Sequence, residues 1–372
     1  MKSGLEILRI FLKKEMNFKR IAIFVPSLYA GGAEKQAALL AKTLSDFYSI
    51  DYVVCYEKNS SAAIQSILDS CENLNLYFLD KEGKDIKYNF YHLMCKLRPD
   101  VLFNYLTFCD VWGCIEGRKA GIRYIYNGIR NNRLPFFKLL AEWYVHNYYA
   151  SKTIFNCYSG RSNFIKWGYK KKKSIVIPNC FMNIKSYHQH QTKGLPIIIT
   201  VGRFVAQKDF VTCIKTISRL RKKFQSNFRF QIVGYGELER NIRDLVRKYK
   251  IDDVVELIIN PSNIPELLRN ADIYLSTSLF EGTSNSIMEA LNADLPIVAT
   301  NVGDNNCLVK DGANGFLHKT KDFIGLSKSL YYLIENADVR NKFGFYGKQL
   351  LIRKYSLELF RNRYLNLLNS LE

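Results

Sequence analysis

The sequence predicts an α/β protein of two Rossmann-like domains in series, each built on a parallel sheet. Three observations carry that prediction. Short apolar, β-rich runs alternate with segments of 3.6-residue apolar periodicity along most of the chain. The first of the runs is continuous rather than alternating, as in a strand covered on both faces of a parallel sheet. The alternation then breaks near the middle of the chain before a second βα series begins. With 372 residues the chain has room for two domains, each with its own core.

The first strand is predicted at Arg20–Val25, where Ile21, Ala22, Ile23, Phe24 and Val25 run without a polar break. Ala33–Leu44 follows with helical spacing. Further strands are predicted at Asp51–Cys55, Leu74–Leu79, Val101–Asn104, Tyr124–Tyr126, Thr153–Cys157 and Ser174–Ile177. Residues 182–196 lose all periodicity and read as a linker. In the second series Pro196–Val201 reads as a strand, and Phe210, Cys213, Ile214, Ile217, Leu220 and Phe224 form the apolar stripe of the next helix. Strands at Phe228–Val233, Val254–Ile259, Asp272–Thr277 and Pro296–Thr300 complete the series, with a helix over Leu238–Tyr249 and another bearing Glu289. The implied boundaries are 1–185 for the N-terminal domain (1–18 being a basic extension), 186–355 for the C-terminal domain, and 356–372 for a last helix. Ligands of open parallel sheets bind outside the carboxyl ends of the strands, so the expected site is a cleft between the domains.

Composition narrows the class. Hydrophobic residues make up 48% and charged residues 24%, as in a globular protein. No run of eighteen uncharged apolar residues is present to form a spanning helix. Near the start, Leu5, Leu8, Ile10, Phe11 and Leu12 are interrupted by Glu6, Arg9, Lys13 and Lys14, too broken for a secretory segment. Residues 1–15 precede what reads as a start at Met16, and are expected to be either a basic amphipathic anchor or an upstream-start artefact. Nine cysteines lie singly with no C-x-x-C pair, which predicts reduced thiols, a cytoplasmic setting and no zinc. The net charge is +20, and residues 1–190 carry 28 Lys and Arg against 15 Asp and Glu. That half also holds the aromatic run Trp143–Tyr149 and the four lysines Lys170–Lys173. Such a surface suits an anionic membrane or nucleic acid, or is simply solvated lysine. No nucleic-acid module is recognisable, so a membrane surface is the expected partner and nucleic acid is not.

Four constellations carry chemistry. Gly31-Gly32, before Glu34, sits at the first strand-to-helix turn, where backbone amides can approach an anion; a tight turn explains the glycines equally well. It is neither G-x-G-x-x-G nor a Walker loop. Gly202 and Arg203, with Lys208, follow the first strand of the second series. A guanidinium and an ammonium there can neutralise a diphosphate, or be two solvated cations. Gly234 and Gly236 mark another strand-to-helix turn, which can admit a flat base or be an ordinary turn. Finally, Glu281 and Glu289 bracket Gly282-Thr283-Ser284-Asn285-Ser286. With eight helical steps they would stand roughly 12 Å apart, the span of a ribose-to-sugar reach across a diphosphate. The amides of Thr283, Ser284, Asn285 and Ser286 would open a helix N-terminus toward phosphate. No Asp-x-Asp pair is present to hold a divalent metal, so no metal or other cofactor is expected.

These motifs together resemble the family-4 retaining glycosyltransferases of GT-B fold, of the bacterial surface-polysaccharide type. The resemblance runs over nearly the whole chain: Ile21–Glu34, Ile177-Pro178-Asn179, Val201–Asp209, Val233–Glu237 and, most closely, Ala271–Leu317. It implies two Rossmann-like domains, a last helix over Ser356–Leu371 crossing back to the first of them, and metal-independent transfer from a UDP-sugar or GDP-sugar to a lipid-linked or saccharide acceptor. The expected setting is the inner face of the membrane, bound peripherally. By the same resemblance Arg203 and Lys208 take the donor diphosphate, Glu289 the ribose, Glu281 the transferred sugar, and Gly31 and Gly32 lie near the phosphates. Many relatives carry a histidine after the fourth or fifth strand. Here Asn104–Asp110 has none, and Asp110 or the Arg130-Asn131 pair is the candidate replacement on the acceptor side, with Glu34. The glycine usual after Ile-Pro-Asn is Cys180. A nucleic-acid-binding protein and a catalytically silent sugar-nucleotide scaffold are the competing readings.

Overall fold

The computed structural model describes residues 20–29, 31–57, 60–82, 85–130, 132–185 and 194–371. Residues 1–19, Asn131 and 186–193 lie outside them, so the extension, half of the Arg-Asn pair and most of the linker are not described. The chain divides into two compact units, 1–182 with 357–372, and 183–356.

The first unit threads β1 (Arg20–Ser27), α1 (Gly32–Leu44), β2 (Ser49–Tyr56), α2 (Ala62–Asp69), β3 (Leu74–Phe78), α3 (Ile86–Leu97) and β4 (Val101–Asn104). It continues through α4 (Leu106–Lys119), β5 (Tyr124–Ile129), α5 (Phe136–Tyr148), β6 (Lys152–Phe155), α6 (Tyr158–Lys166) and β7 (Ser174–Val176). The seven strands lie in the order β3-β2-β1-β4-β5-β6-β7, and every pair is parallel. The unbroken apolar run of β1 is explained by this position: Ile21, Ile23 and Val25 join the core on one face, Ala22 and Phe24 that on the other.

The second unit follows the same logic with β8 (Ile197–Val201), α7 (Phe210–Lys223), β9 (Arg229–Gly234), α8 (Glu239–Tyr249), β10 (Val255–Ile259), α9 (Ile264–Arg269) and β11 (Ile273–Ser276). It ends with α10 (Asn285–Asn292), β12 (Ile297–Thr300), α11 (Asn305–Leu308), β13 (Gly315–His318), α12 (Phe323–Glu335) and α13 (Ala337–Tyr355). Its parallel sheet is ordered β10-β9-β8-β11-β12-β13. The last helix, α14 (Leu357–Asn369), belongs to the first unit. There Phe360, Tyr364 and Leu368 are fully buried beside β1 and α1 residues.

Strand order reverses between β1 and β4 in the first unit and between β8 and β11 in the second. Helices diverge to opposite faces at such a point, leaving a crevice at the carboxyl ends of the two strands. The loops after β8 and β11, and those after β1 and β4, are therefore the places to look for ligand chemistry.

Candidate functional site

In the second unit the loops after β8, β11 and β12 are tied together by main-chain groups. Leu279 N donates to the Gln207 carbonyl at 2.8 Å, and Gln207 Nε2 returns to the Phe280 carbonyl at 2.8 Å. Thr277 Oγ1 donates to the Lys208 carbonyl at 2.9 Å. Thr300 Oγ1 donates to the Ser278 carbonyl at 2.6 Å. Gly303 closes the arrangement at φ +56°, where a Cβ would stand 2.2 Å from the Glu281 carbonyl oxygen. No other residue fits that approach.

This framework brings Glu281 and Lys208 into direct contact. Lys208 Nζ donates to Glu281 Oε1 at 2.6 Å, and Ser278 Oγ donates to the same oxygen at 2.8 Å. Glu281 is buried, so its negative charge is met by a cation and a hydroxyl rather than by water. Lys208 is thus a partner of Glu281 and not a free solvated cation. Arg203 is exposed, with no ion pair among the described residues.

Glu289 lies in the middle of α10. The eight residues from Glu281 are not all helical, because the helix begins only at Asn285; the 12 Å helical span does not apply. Tyr274 on β11 lies within reach of the charge of both carboxylates. Burial raises its hydroxyl well above the usual phenol range, and the charges of both Glu289 and Glu281 push it further the same way. The hydroxyl contacts Ser286 and donates to the Val201 carbonyl at 3.2 Å. Ser284, at the N-cap of α10, makes no capping hydrogen bond, and its hydroxyl pairs with that of Ser286 at 3.2 Å. The first-turn amides of α10 therefore have no side-chain acceptor at the N-cap, the condition for receiving an anion. Tyr274 and Ser278 were not singled out from the sequence; they sit inside a strand end, where a polar residue looks like ordinary core.

The two glycines after β9 have a packing role. A Cβ on Gly234 would lie 1.9 Å from the Gly202 carbonyl oxygen, and one on Gly236 within 2.8 Å of Phe204 backbone nitrogen. The loop after β9 is pressed against the loop carrying Arg203. Gly202 likewise lies under the Lys208 side chain.

In the first unit, Gly31 is the N-cap of α1, and its amide already donates to the Tyr29 carbonyl at 2.6 Å. The Glu34 carboxylate folds back over it, so near that a Cβ on Gly31 would be 2.1 Å away. Burial raises the Glu34 carboxyl, and a hydrogen bond from its own amide holds it back. Gly32 opens the helix beside it. Cys180 replaces a glycine without strain: Gln36 clasps its backbone, accepting from the amide at 2.9 Å and donating to the carbonyl at 2.8 Å.

The start of α4, the end of β5 with the loop after it, and the start of α5 line a cavity of about 670 Å³. Asp110, Glu142 and Arg130 are in its wall. Asp110 Oδ1 accepts from the Gly128 amide at 2.9 Å, while its other oxygen and Glu142 Oε2 find no donor among the described residues. Burial pushes the Asp110 carboxyl up to about 7, against the pull of Glu142, the Gly128 amide and Arg130. Burial, then the Asp110 charge, raises Glu142 well above the carboxylate range. Two facing buried carboxyls cannot both ionise, so the pair holds a proton. The Arg130 guanidinium lies over the Tyr105 ring at 4.4 Å, and Nε and Nη1 find no acceptor among the described residues. Leu106, at the cavity's edge, takes φ +70°, a left-handed conformation costly for a leucine. Glu142 was missed by sequence reading because a single glutamate in an aromatic helix carries no motif.

Residues 184–350 match the family model described as glycosyl transferases group 1. The chain is 25% identical over 342 residues to an uncharacterized glycosyltransferase of Haemophilus influenzae, covering 86% of this chain and 92% of that protein. It is 27% identical over 283 residues to the UDP-Gal:alpha-D-GlcNAc-diphosphoundecaprenol alpha-1,3-galactosyltransferase of Escherichia coli, covering 68% and 70%. Among solved structures, HepE of Anabaena in complex with UDP and glucose superposes with a TM-score of 0.80 at 17% identity, over 95% of this chain and 100% of that one. The fold is that of the GT-B glycosyltransferases, two Rossmann-like domains with parallel sheets.

Proposed function

We propose that the chain is a retaining glycosyltransferase that moves a sugar from a nucleoside-diphosphate sugar to a lipid-linked or saccharide acceptor in surface-polysaccharide assembly. The observation that carries the reading is the cluster at the β8–β11 switch point. A buried Glu281 paired with Lys208, an unpaired Arg203 and an α10 N-terminus with no side-chain cap all belong to it. Glu289, whose charge like that of Glu281 raises the Tyr274 hydroxyl, lies near the same cluster. The family match over these residues and the UDP in the HepE structure support the same reading.

In this proposal Arg203 and the α10 amides hold the diphosphate, and Lys208 divides its three donors between Glu281 and a phosphate oxygen. As the anomeric carbon–oxygen bond breaks, negative charge grows on the departing diphosphate, and these groups stabilise it without a divalent metal. Glu289 accepts from the ribose hydroxyls and Glu281 from hydroxyls of the transferred sugar. The acceptor oxygen attacks from the face the nucleotide leaves, and its proton passes to a diphosphate oxygen. The acceptor side falls to the first unit, to Asp110, Arg130 and Glu34 and, by the motif, Asn131, with Gly31 and Gly32 near the phosphates and the new bond. The enzyme works at the cytoplasmic face of a membrane. Among the described residues no helix is long and apolar enough to cross one.

A thermal-shift panel of UDP-, GDP- and ADP-sugars tests the reading. One donor should stabilise the protein, and Glu289→Ala should abolish most of that shift. Arg203→Ala should lower turnover by about 10²–10³ with the unfolding temperature unchanged. No response to any sugar nucleotide, or wild-type turnover in both variants, would sink the assignment.

A further inference from the structure

The helix α5 has two faces of opposite character. Leu139, Glu142, Val145 and His146 are buried. On the other side Phe136, Leu140, Tyr144 and Tyr148 repeat at steps of four and are 63%, 53%, 48% and 64% exposed, with Phe137 beside them at 84%. Residues spaced by four form one continuous stripe, here roughly 20 Å long. An apolar stripe of that size on a soluble surface calls for an occupant. The only acid of α5, Glu142, is buried, and from residue 143 to the end of this stretch of the first unit at 182 there is no Asp or Glu at all. Lys170 Nζ lies 5.4 Å over the Tyr148 ring, and Lys171 and Lys172 are exposed next to it. Aromatic side chains flanked by lysines, with no carboxylate among them, are complementary to an anionic lipid interface.

The same helix carries the mouth of the 670 Å³ cavity. Exposed Arg133 and Lys138 line it beside Pro135, one residue before the stripe begins, while the buried Asp110–Glu142 carboxyl pair and Arg130 stand in its wall. Along one element the chemistry thus passes from polar pocket to cationic rim to apolar stripe. We propose that α5 seats the first unit on an anionic bilayer and receives from it a lipid-diphosphate-linked sugar. The sugar enters the cavity, Arg133 and Lys138 hold the phosphates, and the stripe of Phe136, Phe137, Leu140, Tyr144 and Tyr148 lies among the lipids. This rests on the glycosyltransferase reading and names the physical form of its acceptor.

Flotation with phosphatidylethanolamine–phosphatidylglycerol vesicles tests it, with and without polyprenyl diphosphate, using the full chain. Wild type should float, and polyprenyl diphosphate should tighten its binding. The Phe136→Ser/Phe137→Ser variant should bind vesicles about a hundredfold more weakly, since two exposed rings lose their burial. The Arg133→Glu/Lys138→Glu variant should lose the increment given by polyprenyl diphosphate. UDP-induced thermal shift, reporting the second unit, should be unchanged in both variants. Equal flotation of the aromatic variant, or no increment from polyprenyl diphosphate in wild type, overturns the proposal. A protein that responds to UDP but ignores vesicles leaves the transferase standing with a soluble acceptor. One that floats but ignores every sugar nucleotide sinks the transferase reading instead.

Discussion

Lys208 and Glu281 are 73 residues apart in sequence and 2.6 Å apart in space, with side chains 20% and 10% exposed. Removing the cation strands a buried carboxylate, which is the costly way to break such a pair. Lys208→Met should therefore lower stability by about 3 kcal/mol as well as activity, whereas Arg203→Ala at an exposed site should leave stability within about 0.5 kcal/mol. Urea unfolding of the two variants separates the roles, and equal stability would mean the pair is decorative. Both residues were legible as site candidates from their motifs; their contact was not, because nothing in a linear pattern records a partner on another loop. Asp110 permits a second test. Its carboxyl is raised to about 7 from 3.8, so the native state holds that proton more tightly, and stability falls as pH rises from about 4 to about 7. Burial raises Glu142 as well, so its contribution to stability falls in the same direction as pH rises. His146 is lowered by burial to about 4 from 6.5, so its contribution to stability is lost as pH falls through the same range. The two slopes oppose, each on the order of 3 kcal/mol. In Asp110→Asn the slope of Asp110 is gone, and the unfolding temperature should climb more steeply from pH 4.5 to 7 than in wild type. Parallel profiles would show that Asp110 does not titrate there.

The lysine run 170–173 shows how an element can reassign residues. By composition it is one block of surface charge. In the fold, Lys173 Nζ donates to the carbonyls of His146, Asn147 and Ala150 at 3.3, 3.2 and 2.7 Å, and Lys170 Nζ to that of Asn147 at 3.1 Å. The carbonyls of His146 and Asn147 are among the last of α5, which have no partner within the helix and carry its negative dipole end; that of Ala150 lies just beyond it. Two of the four lysines thus cap a helix more than twenty residues upstream, and only Lys171 and Lys172 remain for a membrane. Lys173→Met should lower stability by about 1–2 kcal/mol and speed amide exchange in the last turn of α5, while Lys171→Met should change neither. A neutral Lys173→Met would remove the capping role. Periodicity located α5's neighbours well, because strands covered on both faces leave unbroken apolar runs. It could not show which side of α5 is bare, since aromatic residues read as core and the adjacent Leu139 and Leu140 fall on opposite faces.

The chain leaves the first unit after Met182 and returns to it at Leu357. Two parallel sheets were readable from sequence because each βα repeat prints its own pattern. The destination of the last helix came only from the family resemblance, since an amphipathic helix does not say which core it completes. In the structure α14 buries Phe360, Tyr364, Leu365, Leu367 and Leu368 in the core formed by β1, β2 and α1. Tyr364 meets Phe103 of β4 edge-on at 5.6 Å, and Tyr124 Oη donates to the Leu371 carbonyl at 3.2 Å. At about 1.5–3 kcal/mol per buried side chain the helix supplies roughly 10 kcal/mol, an upper bound. That rivals the entire net stability of an ordinary domain, about 5–15 kcal/mol. A chain ending at Ser356 should consequently lose hydrogen-exchange protection in β1, β2 and β4 while β8, β9 and β11 keep theirs. The second unit holds Arg203, Lys208, Glu281 and Glu289, so the truncated chain should still show the UDP-induced shift but no transfer. Full protection of β1 and β4 without α14 would mean that the first unit's core is complete without the helix, and that the return of the chain serves something other than stability.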